Sequence, residues 1–192
     1  MINLNELLEK AKWDKLSDGE ISEVVRRIKE TKPGQDEDLY MLLHILGRSG
    51  ADQYRPLVEK FLYYPSYPMV SSIALKTLCV YWGYEEEYLD KIKIFIKGVD
   101  WDGDEDVKLN AVNCAGSYLI STPEKELYEL LIHIFENDPN ETCREAALES
   151  IERGIGREWS DILAPKNAED IELILEKDRQ LANSAISNER KY

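Results

Sequence analysis

Three nine-residue stretches limit what this chain can fold into. VSSIALKTL begins at Val70, VKLNAVNCA at Val107 and CREAALESI at Cys143, so the starts lie 37 and 36 residues apart. Each stretch places Ala four residues after its start (Ala74, Ala111, Ala147). Apolar residues follow five and eight after the start: Leu75 and Leu78, Val112 and Ala115, Leu148 and Ile151. That spacing is one stripe of an α-helix, with a small residue where another helix must come close. Ahead of each stretch, LVEKFL, IKIFI and LLIHIF set Phe61, Phe95 and Phe135 in an apolar face. Helix pairs repeated at this period bury their faces only against neighbouring pairs, the organisation of an α-solenoid.

The rest of the chain fits an all-α reading. Apolar residues recur at three and four, while Gly and Pro punctuate between segments. Helices are expected near 3–12, 18–31, 36–48, 52–63, 68–82, 85–98, 105–120, 123–136, 140–154 and 168–184. Ser17 with Glu20 makes a capping box, Thr122 before Pro123 reads as an N-cap, and Asn167 precedes an acidic first turn. Gly83, Gly98 and Gly154 are expected where helices stop. The whole chain is then a single solenoid domain. Residues 1–35 form N-terminal cap helices, 36–156 the repeats, and 157–192 a C-terminal cap helix and tail. In that cap, Ile171, Ile174, Leu175 and Leu181 share one side, and the terminal SNERKY is expected to fray.

The last repeat, NDPNETCREAALESIERGIG, resembles a HEAT repeat of the short bacterial kind found in bilin-lyase relatives. The Asp-Pro turn of that family is matched by Asp138-Pro139, its Val-Arg pair by Cys143-Arg144 and its Ala-Ala pair by Ala146-Ala147. The middle repeat keeps the pattern more weakly at Val107-Lys108. The first has Val70-Ser71 and lacks the basic residue, and DLYMLLHILGRSG (38–50) resembles the end of a further repeat. The resemblance covers roughly residues 36–156. It implies a right-handed stack of HEAT-like helix pairs, in which Asp138 and Arg144 pair across their turn.

Charge narrows the functional classes. Acids outnumber bases by 38 to 24, giving a formal charge of −14. A surface with that sign repels phosphate backbones, so nucleic acid is not the expected partner; a basic protein is. The excess is uneven: residues 1–35 balance at seven acids and seven bases, whereas 36–106 carry fourteen acids against seven bases. MINLNELLEK has neither the basic nor the apolar region of a secretion signal, and no apolar run reaches the ~20 residues of a membrane span. A cytoplasmic chain without membrane contact is expected. Cys79, Cys114 and Cys143 lack metal-type spacing and read as reduced core thiols. No cofactor and no metal is expected.

Two segments carry the interaction chemistry. GVDWDGDED (98–106) places Asp100, Asp102, Asp104 and Asp106 on alternate positions, with Glu105 and Trp101 among them. The rhythm is that of a calcium loop, but counting from Asp100 puts Glu105 at position 6 and Ala111 at position 12, where Gly and a bidentate Glu are needed. Length says more. Phe95 precedes Val107 by twelve residues, against nine from Phe61 to Val70 and eight from Phe135 to Cys143. The middle turn is therefore longer than packing requires, as expected of a binding loop. Aromatic residues gather at two further turns, YYPSYP (63–68) and YWGYEEEY (81–88), and half of them are expected in the core. Tyr64, Tyr67, Trp82 and Tyr84 are the candidate anchors. Glu85, Glu86 and Glu87 are read as opening a helix. His44 and His133 lie inside apolar helical runs and are read as core histidines.

No nucleophile, phosphate-loop or general-base signature is present. The expected function is therefore non-catalytic protein binding. A small acidic HEAT-like chain is similar to the immunity proteins of contact-dependent inhibition systems, which neutralise basic toxins such as nucleases. A general HEAT scaffold, a bilin lyase and a DNA glycosylase are the alternatives that the resemblance leaves open.

Overall fold

The computed structural model describes residues 3–32 and 34–189, with side chains to residue 180 except 178. Among them are eleven α-helices, two 3-10 turns, one π-helical segment and no strand. In chain order the helices are α1 (Leu4–Ala11), α2 (Asp18–Glu30), α3 (Asp36–Arg48), α4 (Arg55–Val58), α5 (Pro68–Lys76), α6 (Leu89–Ile96), α7 (Asp106–Leu119), α8 (Lys125–Asn137), α9 (Glu141–Gly154), α10 (Trp159–Ile162) and α11 (Ala168–Glu189). No helix among the described residues is long and apolar enough to cross a membrane.

Local chemistry sets most boundaries. Ser17 and Glu20 form the expected capping box, each side chain bonded to the other's backbone N–H. Asn167 and Asp170 do the same at the start of α11. Two starts depart from the sequence reading. α8 is capped by Glu124, whose carboxylate accepts from Leu127 N at 2.7 Å, and not by Thr122. Glu85–Glu87 lie in a turn ahead of α6 and do not open it. Helix α9 ends at Gly154 as expected, and the left-handed residue just beyond it is Gly156.

Two compact units are present: Met1–Tyr84 with Asp100–Asn110, and Glu85–Val99 with Ala111–Tyr192. Helix α7 starts in the first and continues in the second. In the first unit α3 packs against α1, α2, α5 and the π-helical segment Thr77–Tyr81. Leu39, Leu42, Leu43, Ile45 and Leu46 of α3 are all buried there. In the second unit α8 packs on α9, and α11 lies against both. Ile174 and Leu175 of α11 are buried and Ile171 half-buried, the side on which the sequence grouped them. Leu181 lies outside the residues whose side chains are described; of SNERKY, expected to fray, residues 187–189 belong to α11 and 190–192 lie outside the described residues.

The repeated stripe is the core. Val70, Ala74, Leu75, Leu78, Val107, Ala111, Val112, Ala115, Cys143, Ala147 and Ile151 are buried. Leu148 is half-buried. Cys79, Cys114 and Cys143 are free, buried thiols. A hydrogen-bonding device recurs inside each unit. Thr77 donates its hydroxyl to the Leu43 carbonyl at 3.5 Å, and Ser150 donates to the Val112 carbonyl at 3.0 Å. Four residues beyond each acceptor stands a glycine, Gly47 or Gly116, where an added Cβ would lie 2.5 Å from the Thr77 hydroxyl or 2.6 Å from that of Ser150. The glycine lets the paired helix come close enough for the hydroxyl to reach a carbonyl already used by its own helix.

One buried charge was not foreseen. Glu152 is wholly buried, with Arg157 at 3.1 Å and Lys166 at 3.1 Å from its two carboxylate oxygens. Burial raises its pKa against the pull of the two cations. Lys166 also donates to the Ile162 carbonyl, tying the α10–α11 link to α9. Arg144 reaches the Asp138 carbonyl at 2.7 Å, so backbone oxygen takes part in the expected Asp138–Arg144 contact.

Candidate interaction surface

The nine residues between α6 and α7 (97–105) stand against three between α8 and α9 (138–140), and the difference is the acidic loop. Its two ends are set by backbone geometry. Gly98 takes φ +87°, and Glu105 takes φ +60°, an unusual value for a side-chain-bearing residue. Glu105 N donates back to the Asp102 carbonyl at 3.2 Å, closing a turn immediately before α7.

Asp102 is the residue that organises this turn. It is 7% exposed, and its Oδ2 accepts from both Val107 N and Lys108 N at 3.0 Å. It therefore caps α7 from four residues upstream, satisfying two of the helix's open N–H groups. That placement corrects its reading as a surface contact: the carboxylate is committed to the helix. Lys108 returns to the loop, its Nζ 2.8 Å from Glu105 Oε1.

The other acids differ in exposure. Asp100 and Asp104 are exposed, and Glu105 and Asp106 half-buried. The Asp106 carboxyl is pushed above its ordinary value, first by burial, then by Asp102 and Asp104. The loop thus holds like charges close together, at a cost that a cation from outside would relieve.

Trp101 is half-buried and meets Tyr63 edge-on, ring centroids 5.7 Å apart at 85°. Tyr63 is 69% exposed. The sequence reading passed over Tyr63 in favour of its neighbours; its only signal was membership of YYPSYP. Tyr64 is half-buried and donates its hydroxyl to Asp36 at 2.9 Å, which raises the phenol's pKa. Tyr67 lines an open cleft of about 400 Å³ with Gly34, Gln35, Asp36, Glu37 and Asp38. The Tyr40 phenol is held above its ordinary value by burial, then by Asp106 and Tyr67. The first turn of α3 thereby adds a second acidic segment to the surface, one the sequence reading did not single out.

Trp82 and Tyr84 belong elsewhere in the same unit. The Trp82 indole donates to the Gly47 carbonyl at 3.0 Å. Tyr84 donates to Asp52 at 2.8 Å, with the Arg55 guanidinium 4.7 Å from its ring centroid. Both are half-buried and anchored to the end of α3 and the turn after it. Contrary to the expectation that half of the turn aromatics are core, none of Tyr63, Tyr64, Tyr67, Tyr81, Trp82, Tyr84 and Tyr88 is fully buried.

The histidines also divide. His133 is exposed, beside Asn137 on α8, and is not a core residue. His44 is half-buried, and its Nε2 accepts from Arg48 Nε at 3.0 Å. Burial first, then Arg48, Lys76 and Lys12, lower its pKa to about 4.

All ten residues singled out from the sequence lie in the first unit. Compared with known proteins, the chain matches no family model, no curated protein and no solved structure.

Proposed function

We propose that the chain is a non-catalytic α-solenoid of HEAT-like helix pairs that acts in the cytoplasm as an immunity protein, binding and neutralising a basic toxin domain. One observation carries the reading: exposed Tyr63 packs edge-on against half-buried Trp101, which is set in a loop of crowded acids. Aromatic edges give contact area at low entropic cost, and like charges held close favour a cationic surface arriving from solution. The Tyr67 cleft, with Asp36, Glu37 and Asp38 on its walls, fits a lysine or arginine side chain of the same partner. The solenoid part of the reading is supported by the Thr77–Leu43 and Ser150–Val112 bonds, whose partners are 34 and 38 residues apart, close to the sequence period.

Co-expression with the product of the reading frame next to its own tests this function. The expected result is a tight 1:1 complex that suppresses the toxicity of that product, and that weakens when Tyr63 and Trp101 are both replaced by Ala. Weak binding to several unrelated partners would favour a scaffold instead. A spectral shift on adding a bilin would favour a lyase.

A further inference from the structure

Between residues 36 and 84 the chain has four basic residues, Arg48, Arg55, Lys60 and Lys76. Arg55 pairs with Glu59 at 3.3 Å. Among the described residues, Arg48 and Lys76 have no carboxylate within ion-pair distance. Both instead lie over one ring: the Arg48 guanidinium carbon is 5.1 Å and Lys76 Nζ 5.9 Å from the Tyr81 centroid. In a chain of net charge −14, two cations left without acids beside one phenol are an island of the opposite sign.

The island is built, not incidental. Tyr81 ends the π-helical segment Thr77–Tyr81, an irregularity that costs helix geometry and is often found at functional sites. Gly47 makes room for it: an added Cβ would lie 2.6 Å from Tyr81 Cδ2. The next residue, Trp82, pins the segment through its indole to the Gly47 carbonyl. The Tyr81 ring lies parallel to His44, at 2° and 5.9 Å between centroids, with its hydroxyl 3.1 Å from His44 Nε2. That same nitrogen accepts from Arg48 Nε, so the imidazole is neutral and orients the guanidinium. Arg48 is thereby held with its Nη fork unshared by any acid, the arrangement that recognises a planar or tetrahedral oxyanion.

We propose that Arg48, Lys76 and Tyr81 form an oxyanion-binding site that takes a phosphate or carboxylate group. It shares no residue with the acidic loop, and its two cations must outweigh the negative field of the chain as a whole.

The chain has two histidines, which gives a direct test by proton NMR of the ring signals. His44 reports on the site, and exposed His133 serves as an internal reference. Inorganic phosphate and then acetate are titrated at neutral pH and constant ionic strength, with chloride as the balancing anion. A saturable shift of the His44 signals, with His133 unmoved, is expected, and it is expected to vanish in Arg48→Gln and in Lys76→Gln. Lys76 makes no hydrogen bond or ion pair among the described residues, so its variant carries the test even where Arg48→Gln loses the fold. Response to phosphate alone identifies a phosphate ligand, and response to acetate identifies a carboxylate. No saturable shift with either anion, equal drift of His133, or a response retained in Lys76→Gln overturns the proposal.

Discussion

At the residue scale, the acidic loop separates into members with opposite roles. Asp102 faces inward and holds the start of α7, whereas Asp100 and Asp104 face water. Alternation in the sequence could not tell them apart, because every second aspartate looks alike until the turn at Glu105 reverses the chain onto itself. The distinction is measurable. Asp102→Ala removes the acceptor for two backbone N–H groups and is expected to cost about 1–2 kcal/mol, the range for a lost N-cap, with Asp102→Asn milder. Urea denaturation gives the value; a change below the error of the fit would show that the cap is not a stabilising contact. Glu105 is the second special residue. At φ +60° a side chain costs on the order of 1 kcal/mol, offset in part by the ion pair to Lys108. Tyr63 illustrates what composition hides: four aromatics crowd residues 61–67, and contact with Trp101 alone singles out the exposed one.

At the element scale, the helices were legible because their apolar stripes and caps agree. Ser17 with Glu20 and Asn167 with Asp170 needed nothing beyond local sequence. The π-helical segment and the short α10 were not legible. Periodicity carries no mark of a single π turn, which here accompanies the fastening of Tyr81 and Trp82 onto α3. Close approach at Gly47 and Gly116 has an energetic consequence. Gly116→Ala places a methyl group 2.6 Å from the Ser150 hydroxyl and Arg153, so about 1–3 kcal/mol of stability should be lost, despite the better helix propensity of Ala. Thermal unfolding of G116A beside Gly19→Ala, where nothing lies within 4 Å, separates crowding from propensity. Helix α3 adds a pH dependence. The folded pKa of His44, about 4, lies below its ordinary 6.5, so protonation favours the unfolded chain. The stability tied to His44 is complete above about pH 6.5 and is lost as pH falls through 4. Allowing for screening at a half-buried ring, this amounts to about 1–2 kcal/mol. The urea midpoint of the unmodified chain should therefore fall more between pH 7 and pH 4 than that of His44→Gln; parallel falls would remove His44 as the cause.

At the scale of the whole molecule, charge and contact act on different rate constants. The net charge of −14 creates a long-range field, and the sequence alone carries that information. Tertiary placement, which the sequence does not carry, turns Asp102 inward and brings Tyr63 onto Trp101, so the acidic loop was legible as a cluster while these placements were not. If a basic partner docks on this surface, charge should govern arrival and the aromatic pair departure. Asp100→Lys with Asp104→Lys leaves the Asp102 cap in place and reverses the two exposed charges of the loop. Association should slow by on the order of tenfold, and the dependence of that rate on ionic strength should flatten. Trp101→Ala, by contrast, removes buried contact area and leaves the field unchanged, so dissociation should quicken while association stays within about twofold. Stopped-flow measurements at low and physiological salt read both constants. An Asp100/Asp104 double variant that associates as fast as the unmodified chain at low salt would place the partner on another face.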